Sequence, residues 1–96
     1  MKNLKDLHKE DERGVQAKKI FEPSQALLSL QILSGNQMKE HLTPTPAFLI
    51  CVEGEIEYHD EKGFSQTMKS GDFYAIPPNV KHWLDAKKDS NLILVK

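Results

Sequence analysis

Phe48-Leu49-Ile50-Cys51-Val52-Glu53-Gly54-Glu55-Ile56-Glu57-Tyr58-His59 is the stretch on which the fold turns. It opens with a short apolar run, Phe48 to Val52, of residues that suit a pleated surface and bounded too closely for a helix. It closes on a strict alternation, in which Ile56 and Tyr58 turn to the core while Glu55, Glu57 and His59 turn to water. Gly54 stands between the two, able to take a positive φ at no steric cost.

The same texture continues in both directions. Strands are predicted at Val15 to Phe21, Ala26 to Leu33, Gln37 to Thr43, Phe48 to Val52, Glu55 to His59, Phe64 to Met68, Phe73 to Ile76, Lys81 to Asp85 and Leu92 to Val95. Turn chemistry separates them, as in Ser34-Gly35-Asn36, Thr43-Pro44-Thr45-Pro46, Ser70-Gly71-Asp72 and Pro77-Pro78-Asn79. Short strands at this spacing describe an all-β sandwich or barrel, expected over residues 15–96. Residues 1–14 are polar; Leu4 to Glu12 could form a short amphipathic helix anchored by Leu4 and Leu7, fray, or swap onto a partner.

Composition narrows the functions open to such a domain. With 96 residues, 39% hydrophobic and 7% aromatic, the chain suits one lean core, and a homodimer would cover apolar surface that the core cannot. Val15 to Phe21 is expected to extend a partner's sheet. Basic and acidic side chains number 13 and 14, and the pairs Lys18/Lys19 and Lys87/Lys88 form no stripe, which argues against nucleic acid. No apolar run suits a signal peptide or a membrane span, so the cytoplasm is expected. The single cysteine, Cys51, sits among apolar neighbours and reads as a buried thiol of a reducing compartment.

Two sets of marked residues carry the chemistry. Gly35, His41, Thr43, Ala47 and Gly54 form the first; Gly71, Pro77, Asn79, His82 and Ala86 form the second. Their spacings resemble the two motifs of the cupin family, which read Gly, His, His, Glu, Gly and Gly, Pro, Gly, His, Asn. Gly35, His41, Gly54, Gly71, Pro77 and His82 match in kind. The resemblance spans residues 15–96 and implies a double-stranded β-helix, or jelly-roll, barrel. It does not by itself choose a function, since one fold hosts many chemistries.

In a cupin-like barrel His41 and His82 point inward on different strands, and two imidazoles can hold a divalent transition metal. The resemblance implies a Zn, Ni, Fe or Mn ion, weakly held, because Thr43, Ala47 and Ala86 stand where the family places its second His, its Glu and its Asn. Strand parity gives a ligand pocket lined by His41, Thr43, Ala47, Leu49, Tyr74, His82, Leu84 and Ala86, widened by the two alanines. Parity also places Lys39 toward the pocket mouth and Met38 outward unless a bulge intervenes, and sets Trp83 and Phe73 on outer faces. Three functions follow: a small-molecule-binding sensor or accessory protein, a metal-dependent isomerase or dioxygenase using His41 and His82, or a partner-binding dimer. Neither motif carries an inward carboxylate to orient a histidine base, which weighs against the enzyme.

Overall fold

The computed structural model describes His8 and residues 14–21 and 26–96; the helical reading of Leu4 to Glu12 lies outside them. The described residues form strands alone: β1 (Val15–Phe21), β2 (Leu27–Ile32), β3 (Gln37–His41), β4 (Ala47–Glu53), β5 (Glu55–Asp60), β6 (Ser65–Lys69), β7 (Phe73–Ile76), β8 (His82–Ala86) and β9 (Ser90–Val95). They pair antiparallel into a five-stranded sheet, β1-β2-β9-β4-β7, and a four-stranded sheet, β3-β8-β5-β6. The expected strands are all present, most with ends shifted by a residue or two.

The core lies between the sheets. Leu30 and Ile32 of β2, Leu49 and Cys51 of β4, Ile76 of β7 and Leu92 and Leu94 of β9 meet Ile56 and Tyr58 of β5, Met68 of β6 and Leu84 and Ala86 of β8. Each set obeys a two-residue period, so one face of each strand is apolar and buried. Cys51 is buried and free, as its neighbours suggested.

Between β4 and β5 the chain leaves the larger sheet for the smaller one at Gly54. The φ there is +107°, and a Cβ would run into Ser90 Oγ and the Asp89 carbonyl oxygen. Ser90 holds that corner, its hydroxyl accepting from Glu55 N–H at 3.0 Å and donating to Lys88 C=O at 2.7 Å.

One parity expectation fails. Met38 stands opposite Leu84 and His41 opposite His82, so β3 spends one more residue than β8 between the two pairs. This bulge turns both Met38 and His41 inward. Lys39 and Glu40 are exposed, and Met38 packs on the core, the reverse of the regular-strand reading.

Candidate functional site

His41 ends β3 and His82 begins β8, and antiparallel pairing sets them directly opposite. Their rings meet edge to face with centroids 4.1 Å apart. The turns that follow β3 and β7 close this end of the barrel, Asn79 N–H donating to the Thr43 carbonyl at 2.8 Å.

Each ring is anchored in the same way. His41 Nδ1 lies 3.2 Å from the Lys39 carbonyl oxygen and His82 Nδ1 lies 3.1 Å from that of Val80. A carbonyl can only accept, so Nδ1 carries the proton in both rings and Nε2 keeps its lone pair. His82 is 2% exposed, whereas His41 is half-buried. Burial holds the His82 pKa below its ordinary value; the Val80 carbonyl pulls it back up, and neighbouring His41 adds to the lowering.

The rings wall a void of about 10 Å³ with Leu30, Met38, Leu49, Ile76, Leu84 and Leu94. That is room for an ion or at most one water. Of the residues expected to line a pocket, His41, Leu49, His82 and Leu84 come together here. Ala47 and Ala86 are buried in the core away from the void, so the widening expected of them is taken up by packed side chains. Thr43 is also buried outside it, its hydroxyl donating to Thr45 C=O at 2.8 Å. Tyr74 packs on Tyr58, with ring centroids 4.9 Å apart, and lines a separate cleft.

Sequence reasoning missed Met38, because the bulge that turns it inward has no marker residue. It also passed over Tyr58, whose ring stacks on His82 at 5.8 Å, and Asp60, which pairs with His82 across β5 and β8. Asp60 Oδ1 is occupied by the N–H groups of Lys62 and Phe64, at 2.9 and 3.2 Å. Burial drives the Tyr58 phenol well above its ordinary pKa, with Asp60 and Tyr74 adding to the shift. No group of three or more His, Cys, Asp or Glu among the described residues is placed to hold a metal.

The separate cleft, about 480 Å³, opens between β6 and β7, the outermost strands of the two sheets on that side. Phe64, Gln66, Thr67 and Met68 form one wall, with Phe73 and Tyr74 on the other. Phe64 and Tyr74 stack at 5.3 Å across it.

Two antiparallel sheets wound face to face, closing on paired histidines at one end, define a double-stranded β-helix protein. The profile of the cupin domain matches residues 30–95, and the chain belongs to that family. Its fold is similar to an uncharacterized conserved protein with a double-stranded β-helix domain from Klebsiella pneumoniae, at TM-score 0.86 and 16% identity over 99% of this chain and 86% of that one. It is also similar to an RmlC-like cupin family protein from Methanocaldococcus jannaschii, at TM-score 0.77 and 22% identity over 93% and 84% of the two chains. A conserved protein of unknown function from Streptococcus pyogenes aligns at TM-score 0.84 and 14% identity, covering 99% and 83%. No curated protein matches the chain.

Proposed function

We propose that this cupin holds one soft transition-metal ion, Cu(I) in character, between His41 and His82 and acts as a sensor or accessory protein. The observation that carries this reading is the shared anchoring of the rings: both Nδ1 protons are committed to backbone carbonyls, and both rings wall one void. Fixing the far nitrogen in this way is how proteins orient metal-ligating histidines. Met38 walls the same void and brings a thioether. Zinc and iron sites use more donors than two imidazoles, and manganese prefers oxygen; thioether and imidazole in hydrocarbon surroundings suit Cu(I). The void admits an ion and no organic molecule, so the ion is the ligand we propose for it. Bound there, it would supply a positive charge at an otherwise apolar end of the barrel.

Anaerobic titration with Cu(I) against a chromophoric chelator tests the reading. One equivalent should bind, and His41→Ala and His82→Ala should each weaken binding at least about tenfold, a loss of about 1.4 kcal/mol. Met38→Leu, which nearly conserves volume, should weaken Cu(I) more than Zn(II). A folded natural protein that binds no Cu(I), or folded His variants that bind it equally well, would remove the proposal.

We also propose a homodimer in the cytoplasm. No helix among the described residues is long and apolar enough to cross a membrane. The compartment is supported by Cys51, a buried thiol whose pKa burial pushes up and so keeps unreactive. The dimer is supported by the outer face of the larger sheet, where Phe48, Ile50 and Ile93 are half-buried and Val52 and Phe73 are 43% and 66% exposed.

A further inference from the structure

The outer face of the smaller sheet carries a hydrogen-bonded chain that crosses all four of its strands and that the interior histidines do not touch. Gln37 Nε2 of β3 donates to Asp85 Oδ1 of β8 at 2.8 Å. Asp85 Oδ2 lies 3.0 Å from His59 Nε2 of β5. His59 Nδ1 lies 2.9 Å from Ser65 Oγ of β6. Register makes this possible, since Gln37 stands opposite Asp85, His59 opposite Ser65, and Asp85 two residues along, on the same face, from His59's own partner, Trp83.

The chemistry of each link follows from its neighbour. A carboxylate accepts, so His59 carries its proton on Nε2 and leaves Nδ1 as a base facing the Ser65 hydroxyl. Trp83 stacks on the imidazole at 5.7 Å and 14°, which holds its plane. Glu57, the other acid near His59 at 3.8 Å, is paired to Lys87 at 3.2 Å, and Asp85, at 3.0 Å, is the closer partner. A hydroxyl on a base, with the base oriented by a third group, is the arrangement that activates a serine nucleophile. The ring nitrogens are used the other way round from the serine proteases, which leaves the proton path unchanged.

Ser65 is exposed on the outer face of β6, beside the cleft rather than in it. Its chain neighbours Phe64 and Gln66, and Thr67 on its own face, line the open cleft between β6 and β7. Asp60 N–H bonds to Phe64 C=O, and Glu61 N–H bonds to Lys81 C=O on the other side of β5. By that alternation the Ser65 N–H turns away from β5, toward the free edge of β6. A strand-edge N–H is the kind of donor that can stabilise an oxygen developing charge.

We propose that Ser65 is an acyl-accepting nucleophile for carboxylic esters, with His59 as its general base and Asp85 and Gln37 as positioning residues. Oγ adds to the ester carbonyl carbon as its proton passes to His59 Nδ1. The bond to the alcohol oxygen then breaks, that oxygen takes the proton from Nδ1, and the acyl group stays on Oγ. Water repeats the sequence: it adds to the acyl carbon, gives a proton to Nδ1, and the acyl–Oγ bond breaks as Oγ recovers that proton. The sum is ester and water to acid and alcohol, with no other reactant.

p-Nitrophenyl butyrate and a fluorophosphonate are the probes, used on the full chain. The expected result is a burst of p-nitrophenol and a mass adduct on the Ser65 peptide with either probe. Ser65→Ala should abolish both, and His59→Ala should slow acylation about 100-fold or more, with partial rescue by added imidazole. Asp85→Asn should lower kcat with little change in KM, because the imidazolium formed in the transition state loses its counter-charge, while the melting temperature stays near that of the natural protein. An adduct that lands elsewhere, or an unchanged burst in Ser65→Ala, would overturn the proposal. Cu(I) titration of Ser65→Ala should match the natural protein, so the fates of the two sites are read separately.

Discussion

Tyr58 brings the largest fully buried side chain of the described barrel, and its hydroxyl has no hydrogen-bond partner there. The ring is well placed, against Tyr74, Phe64 and His82. The oxygen is not, and a buried hydroxyl left unmade costs about 1–3 kcal/mol. Tyr58→Phe keeps the ring and removes the orphan, so it should raise the unfolding free energy by about 1 kcal/mol in urea melts. A loss of that size instead would mean that water satisfies the hydroxyl. Strict alternation in the sequence placed Tyr58 inward, as found; what it could not carry was the chemistry around the oxygen, which depends on strands far away along the chain. His82 differs in this respect, because its anchor, the Val80 carbonyl, is only two residues away.

The corner at Gly54 joins the two sheets with a backbone that only glycine takes easily. Gly71 has a similar φ of +92° but open space where a Cβ would sit. Gly71→Ala should therefore cost about 1–2 kcal/mol, the penalty of the left-handed region alone. Gly54→Ala should cost distinctly more, because Ser90 and Asp89 must move as well, and thermal melts of the two variants side by side would decide it. Equal losses would mean that the Ser90 corner yields freely. The need for glycine at 54 was legible, and so were the strands, since both rest on local pattern. The β3 bulge was not. Nothing between Met38 and His41 marks an extra residue, and only the opposing strand, with Leu84 and His82 both inward, sets the count. Half of the expected pocket failed for a related reason: parity gave Ala47 and Ala86 their inward face correctly, but it is silent on how far a neighbour such as Leu94 reaches into the space.

At the scale of the molecule, the outer face of the larger sheet is where association should occur. Light scattering at micromolar concentration should give twice the 11.0 kDa chain mass, and Ile50→Lys with Phe73→Glu should return it to the single value. A natural protein of single mass would dismiss the dimer. The order of that sheet has another consequence. β9, which follows the other described strands along the chain, lies in its middle, between β2 and β4. On the ribosome, therefore, β1 and β2 wait as an isolated pair, and β4 lacks the neighbour that covers its inner edge until residue 95 clears the exit tunnel. The larger sheet therefore cannot be completed piecemeal during translation: until β9 emerges, two unpaired edges stay exposed to chaperones.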